Sequence, residues 1–197
     1  PLLRPASALG ILAHRMGWSL VFLAGLNTFR KKWPHIKAVL RNPRSLGLLS
    51  FAAVLITINW GLYIWAVNAD HVIDASLGYF MNPLMNVALG VIVMKERLRK
   101  LQWLAVSVAA AGVLWMTLDS GQVPWIGLIL GLSFSSYGMV KKVADVEATE
   151  SLTVETILLF PISLSYLLWI EFNGQAAYLH TGAWQAVWTM MAGVVTA

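Results

Sequence analysis

Three residues interrupt an apolar stretch, "ASLGYFMNPLMNVALGVIVM" at positions 75–94, which contains no charged residue. They are Asn82, Pro83 and Asn86, near its middle. Proline has no amide hydrogen, so in a helix the carbonyl of Tyr79 loses its intrahelical hydrogen-bond partner. Amides and a freed carbonyl on one face are groups that can hold a polar solute, or that can tie neighbouring membrane helices together. Both interpretations stay open.

These asparagines belong to a stripe in which Gly78, Asn82, Asn86 and Gly90 recur every four positions. A helix places such residues along one slowly turning face. Unsatisfied polar groups are costly in lipid, so this face is expected to look into protein or a watery cavity. Both amides lie near mid-bilayer by residue count, which adds support to a solute-binding role and leaves simple packing open.

Arg15 is a second candidate because it lies about 9 Å into the first apolar stretch at 1.5 Å per residue. Ionisable residues at such depth are rare and mark functional sites. The alternative is that the side chain snorkels back to the headgroups. His14 beside it points to a different face and is the weaker candidate for function.

Other polar residues in the apolar stretches give mixed indications. Asn59 is expected to form an interhelical hydrogen bond, and Glu155 is read as a first-turn carboxylate that complements the helix dipole, with coupling as the alternative. Small residues at Gly127, Gly131 and Ser135 predict a face for close helix contact. The candidate substrate-binding residues are Arg15, Asn59, Tyr79, Asn82, Asn86 and Tyr137, and the candidate coupling or gating residues are His14, Pro83 and Glu155.

The composition indicates that lipid surrounds these residues. The chain is 58% hydrophobic and 12% charged, against about 25% charged in soluble domains. Its ten tryptophans fit a chain with membrane interfaces. There is no cysteine, no His-Glu-x-x-His, no Gly-x-Ser-x-Gly and no Walker lysine loop. We therefore expect no catalytic residues, no metal and no cofactor, and a protein that is not an enzyme.

Seven apolar stretches are long enough, or nearly so, to cross a bilayer as helices. They are residues 9–28, 46–67, 75–94, 101–118, 123–140, 153–170 and 184–197.

Lysine and arginine occur in every second loop only. They fill residues 29–45, 95–100 and 141–150, while the intervening loops "NADHVID", "DSGQ" and "EFNGQAAYLHTG" contain none. Basic residues in short loops stay cytoplasmic, so the chain is predicted to begin outside and end inside. The net charge of +5 is then a topology signal and not a nucleic-acid surface. An outside start without a signal sequence predicts at least one further helix upstream, with more downstream.

Several segments in order and spacing resemble RarD-like transporters of the EamA family in the drug/metabolite transporter superfamily. They are "HRMGWS", "INWGLYIWAVN", "ASLGYFMNPLMNVALG", "KERLRKLQWLAV", "SFSSYGMVKK" and "VETILLFP". The resemblance implies an all-α polytopic membrane protein of ten helices in two inverted five-helix repeats. Residues 1–118 would then hold helices 2–5, and residues 119–197 the start of the second repeat, helices 6–8. One departure is Gly10, where relatives often carry a glutamate, so no Glu–Arg pairing is carried over.

The resemblance implies secondary-active transport of small metabolites or drugs by alternating access. RarD-like proteins often carry a label of the chloramphenicol-sensitivity type. The expected partners are the lipid bilayer, a small-molecule substrate and, as one option, a second copy in a homodimer, with no nucleic acid. The expected location is the bacterial inner membrane. The alternative is a seven-helix receptor or sensor, against which the last apolar stretch offers no lysine for a retinal Schiff base.

Overall fold

Most of the described chain is helical, with short connecting segments. The computed structural model describes residues 8–121, 123–173, 191 and 193, and within them contains seven α-helices and no strand. The predicted span 184–197 lies outside this part of the chain, except for the helical residues 191 and 193. The helices are α1 (Ala8–Phe29), α2 (Trp33–Arg41), α3 (Pro43–Asn68), α4 (Val72–Ile92), α5 (Lys100–Ser120), α6 (Trp125–Ala144) and α7 (Ala148–Phe172).

Five of these helices are long and apolar enough to cross a membrane: α1, α3, α4, α5 and α7. The predicted all-α polytopic class is confirmed. The fifth predicted stretch, 123–140, forms helix α6, which has 20 residues. It is not among the five, and its sequence carries three serines and ends near Lys141 and Lys142.

Helix ends follow local sequence signals. Asn42 precedes α3, and its Oδ1 accepts hydrogen bonds from the backbone N–H groups of Arg44 and Ser45 at 3.1 and 3.4 Å. This is an N-cap, followed by Pro43 at the first helical position, where a missing N–H costs nothing. Gly121 ends α5 with φ +64°, a left-handed conformation that glycine adopts without steric cost.

The contacts divide the chain into two units. Pro1–Val54 and Val140–Ala197 form the first unit, and Leu55–Met139 form the second. In the first unit α1 and α2 both pack against α7. In the second unit Ala66, Ala75, Ile126 and Leu130 form a buried core.

The basic stretch 29–45 was predicted to be a loop, but it contains the nine-residue helix α2. Pro34 lies in the first turn, where proline is tolerated. The helix is amphipathic: Ile36 is fully buried and packs with Leu49 and Val154, while Lys37 is exposed. Because basic residues interrupt the short apolar pattern of α2, the sequence of this stretch resembled that of a loop.

Glycines let α4 and α6 approach closely in the second unit. A Cβ added at Gly78 would lie 2.9 Å from Leu130 Cβ, and one at Gly131 would lie 3.1 Å from Met81 Cβ. A Cβ at Gly127 would lie 3.2 Å from the backbone nitrogen of Gly78. The predicted small-residue face of α6 is therefore confirmed as a packing surface.

Replacing Gly78 with alanine is expected to lower the free energy of unfolding by about 1–3 kcal/mol, because the new methyl group overpacks the contact with Leu130. Gly112→Ala in α5 is the matched control, since no atom lies within 4 Å of a Cβ there. It should leave stability unchanged or raise it by about 0.5–1 kcal/mol. Unfolding of both variants in detergent, followed by circular dichroism, measures the difference. Equal stability would contradict close packing at Gly78.

Candidate functional site

A buried amide joins α1 to α7 in the first unit. Asn27 is completely buried, and its Nδ2 donates hydrogen bonds to the Leu23 carbonyl and to Thr153 Oγ1, both at 2.8 Å. Thr153 in turn donates its hydroxyl to the Thr149 carbonyl at 2.6 Å. Asn27 Oδ1 is buried and has no hydrogen-bond partner among the described residues. The seam between these helices is therefore polar and keeps one open acceptor.

A buried carboxylate lies on the same helix. The Glu155 side chain is 2% exposed; its Oε1 accepts a hydrogen bond from Ser151 Oγ at 2.7 Å and lies 3.3 Å from Lys141 Nζ. A carboxylate removed from water needs such compensation, because desolvating an unpaired charge costs several kcal/mol. Ser151 and Lys141 together supply it.

The sequence interpretation of Glu155 as a first-turn residue is wrong. Helix α7 begins at Ala148, so Glu155 is its eighth residue and Glu150 occupies the first turn. The prediction began the helix where the apolar run begins, whereas the helix extends back through polar residues such as Thr149 and Ser151. Glu155 therefore lies beyond the region where the helix dipole stabilises a carboxylate.

A second set of charges links the end of α1 to the start of α7. Lys32 Nζ forms an ion pair with Glu147, and lies 3.4 Å from Glu150 Oε1. The hydrogen bond to Glu147 raises the pKa of Lys32, and the same bond lowers the pKa of Glu147. Glu147 contributes stability that is lost as pH falls through its lowered pKa, and Lys32 contributes stability that is lost as pH rises through its raised pKa. The pair is therefore intact at neutral pH.

Another buried amide joins α3 to α6 in the second unit. Asn59 Nδ2 donates to the Leu130 carbonyl at 2.9 Å and to Ser133 Oγ at 3.0 Å. Ser133 donates its own hydroxyl to the Ile129 carbonyl at 2.6 Å. The interhelical hydrogen bond predicted for Asn59 is thus present.

Asn82 and Asn86 have different surroundings, although both belong to the predicted stripe on α4. The Asn82 backbone carbonyl accepts a hydrogen bond from Ser135 Oγ at 3.2 Å, and its side-chain Oδ1 is buried with no hydrogen-bond partner in the described part of the chain. The Asn86 side chain is exposed. Four residues advance about 400° around a helix, so the stripe rotates by about 40° at each step. Asn82 therefore faces protein, while for the exposed Asn86 the predicted watery cavity stays a prediction.

The remaining candidates fall in both units. His14 and Arg15 are half-buried in α1 of the first unit, which also holds Glu155. Tyr79 in the second unit is exposed, and its ring meets that of Tyr63 edge-on at 6.1 Å. Tyr137 is half-buried, 6.3 Å from the ring of Phe134. Pro83 is exposed within α4, which continues on both sides of it.

Sequence reasoning missed two of the polar groups that the structure brings together. Asn27 was passed over, although an amide near the end of an apolar stretch was the available signal. Lys141 was explained by topology alone, so its pairing with Glu155 was not considered. Nothing in the sequence spacing of Lys141 and Glu155 indicates that they pair, because Lys141 lies on α6 and Glu155 on α7.

Comparison with known proteins decides the family. Residues 2–118 match the model of the EamA-like transporter family. The chain belongs to this family. It is 47% identical over 197 residues to Protein RarD of Streptomyces exfoliatus, covering 100% of this chain and 62% of the relative. The resemblance to RarD-like members of the EamA family is confirmed.

Other relatives of this EamA-family chain carry transporter names. It is 42% identical over 191 residues to an "Uncharacterized transporter" of Vibrio cholerae, with 96% of this chain and 63% of the relative aligned. It is 41% identical over 200 residues to "Uncharacterized transporter YojE" of Bacillus subtilis, with 100% and 66% aligned. The chain thus spans less than two thirds of these relatives' length. No solved structure matches it. With five membrane-length apolar helices, it is a multi-pass membrane protein.

Breaking the Glu155–Lys141 pair is expected to destabilise the protein. Glu155→Gln should lower the free energy of unfolding by about 3–5 kcal/mol, because Lys141 keeps a charge without its partner. The double variant Glu155→Gln with Lys141→Met should recover part of the loss, since neither charge remains. Glu171→Gln, an exposed carboxylate on the same helix, is the control and should change stability by less than about 0.5 kcal/mol. Unfolding in detergent is measured for these variants, for Lys141→Met alone and for the unmodified protein, and a strictly additive double variant would contradict the pairing.

Proposed function

We propose that the protein is a secondary-active transporter that moves small metabolites or drugs across the membrane by alternating access. The family membership and the transporter names of the relatives support transport in general. One observation supports a solute-binding role for α4 in particular. The amide oxygen of Asn82 is buried with no hydrogen-bond partner in the described part of the chain, one residue before Pro83.

An orphan acceptor inside a membrane protein favours a ligand that donates a hydrogen bond. Leaving a buried polar atom unsatisfied costs about 1–3 kcal/mol, and a bound N–H or O–H group removes that cost. Inverted-repeat transporters bind substrate near the midplane beside interrupted helices, and Pro83 removes one backbone donor at that point of α4. Asn82 is therefore the proposed substrate contact in the second unit.

Two residues of the first unit have separate proposed roles. Arg15 is half-buried within α1 and carries a charge suited to an anionic substrate group. Glu155 is a buried carboxylate whose charge is balanced by Lys141, and such a group can exchange a cationic partner for a proton. We assign Glu155 to coupling or gating on this ground.

Transport by the protein reconstituted in liposomes tests the substrate contact. A panel of small metabolites and drugs, supplied with and without a proton gradient, identifies a transported compound. Asn82→Ala should then reduce its kcat/KM by about tenfold, the equivalent of one hydrogen bond of about 1.4 kcal/mol. Asn173→Ala is the control, because that exposed amide bonds only to the Trp169 carbonyl of its own helix at 2.7 Å in the described contacts. Unchanged transport by Asn82→Ala would remove Asn82 from the site.

Arg15 is tested separately with the same compound. Arg15→Ala should abolish transport of an anionic substrate and leave the helix content and detergent stability unchanged. Arg41→Ala removes an equal charge from the exposed surface of α2 and should transport normally. If Arg15→Ala also transported normally, Arg15 would have no part in substrate binding.

We also propose an orientation in the bacterial inner membrane, with the basic segments 29–45, 95–100 and 141–150 cytoplasmic. The alternation of basic and non-basic loops supports it. Reporter tags at Lys37 and Asp119 should label from opposite sides of the membrane in intact cells, because an odd number of spans separates them. Labelling from the same side would exclude this threading.

A further inference from the structure

The second unit contains a pocket at the end where its loops carry no lysine or arginine. Its volume is about 220 Å³, and it opens between the start of α4, the end of α5 and the start of α6. The residues that matter for its chemistry are His71, Asp74, Leu77, Met116, Thr117 and Trp125. We refer to it as the Asp74 pocket. It is distinct from the Asn82 contact, because neither Asn82 nor Pro83 lines it.

The carboxylate of Asp74 is held in place but still accessible. His71 Nδ1 lies 3.1 Å from Asp74 Oδ2, and the Asp74 side chain is 43% exposed. The His71 ring stacks on Trp65 with centroids 5.7 Å apart and planes inclined by 23°. Its backbone N–H also bonds to the Ala66 carbonyl at 2.8 Å. Stacking on Trp65 holds the His71 ring, and the bond to Ala66 holds its backbone. His71 therefore orients the Asp74 carboxylate, whose exposed part can contact a ligand.

An aromatic wall faces the same space. Trp125 lines the pocket, and its ring lies 6.0 Å from that of Trp65, inclined by 41°. The face of an indole attracts cations more strongly than that of any other side chain. Apolar residues such as Leu77 and Met116 complete the lining, so the pocket can also accept a hydrocarbon group.

The charges around the pocket have one sign. No lysine or arginine is among the described residues that line it. The adjoining segments 69–71 and 119–124 add Asp70 and Asp119 and likewise contain no lysine or arginine. A carboxylate, an indole face and a negative surround all favour a cation and disfavour an anion. The volume is below the roughly 300–1,000 Å³ of clefts that take drug-sized ligands, so the occupant is small.

We propose that the Asp74 pocket binds a small organic ammonium ion, with Asp74 as the counter-ion and Trp125 as the aromatic contact for the cation. The proposal goes beyond the transport function, because it concerns equilibrium binding at a separate place. His71 is a positioning residue that acts through Asp74.

The test is a binding measurement on the purified protein in lipid nanodiscs, without any gradient. 2-Phenylethylammonium should bind saturably by isothermal titration calorimetry, and added salt should weaken it. Two probes of the same shape, neutral 2-phenylethanol and anionic 3-phenylpropanoate, should bind at least about tenfold more weakly. Absence of saturable ammonium binding, or equal affinity for the neutral probe, overturns the proposal.

Two pairs of variants assign the contacts. Asp74→Asn should weaken ammonium binding by at least about tenfold, whereas Asp119→Asn, which removes an equal charge nearby but outside the lining, should change it less than about twofold. Equal effects of the two would show a general surface potential and overturn a built site. Trp125→Leu should weaken binding by roughly fivefold and Trp125→Phe much less. Trp115→Leu, on an indole that is 74% exposed and outside the lining, should have no effect.

Failure here and failure of the proposed transport function are distinguishable. Transport variants at Asn82 and Arg15 leave the Asp74 pocket intact, so they should bind 2-phenylethylammonium normally. Asp74→Asn should retain its helical circular dichroism, and the unchanged backbone bond of His71 to Ala66 supports that expectation. If Asp74→Asn binds the ammonium ion as the unmodified protein does, Asp74 is not the counter-ion and the assignment is wrong.

Discussion

A polar atom within an apolar span costs free energy unless it finds a partner inside the protein, since hydrocarbon offers no hydrogen bonds. That constraint accounts for the main contacts within each unit. Asn27 ties α1 to Thr153 of α7, and Asn59 ties α3 to the Leu130 carbonyl of α6. Each amide therefore has a structural reason to lie between helices. Glycines in α4 and α6 stabilise the helix packing in another way. They allow close backbone approach, which maximises dispersion contacts where no hydrophobic driving force acts between helices.

Charges obey a stricter version of this rule. Most lie at helix ends or in the connecting segments, where water is accessible. Glu155 is the exception on α7; Lys141 balances its charge, and the Ser151 hydroxyl donates a hydrogen bond to it. Lys32, Glu147 and Glu150 form a second charge cluster between the end of α1 and the start of α7. In the first unit, the Lys32 contacts therefore reinforce the α1–α7 packing that Asn27 also stabilises, while the Glu155–Lys141 pair joins α7 to α6.

The sequence was most informative where one physical rule acts alone. Length and apolarity located the helices, and the four-residue spacing of Gly127, Gly131 and Ser135 located the α6 contact face. Predictions failed where two rules compete. Helix α2 combines the basic Lys37 and Arg41 with the buried Ile36, so composition and amphipathicity pointed in opposite directions. Glu155 was assigned to a helix start because polar residues precede it, whereas the helix begins at Ala148. Pairings between distant helices, such as Glu155 with Lys141, leave no local signal.

If Asn82 contacts the substrate as proposed, its buried oxygen would make that site selective. An apolar pocket distinguishes ligands that differ by one methylene only weakly, by about 1–3 kcal/mol. A buried acceptor that has no partner discriminates more sharply. A molecule that lacks an N–H or O–H at that point leaves the oxygen without a hydrogen bond, which costs binding free energy. Two compounds of nearly the same shape, one an alcohol and the other the analogue with fluorine in place of the hydroxyl, would then be told apart by a single atom of α4.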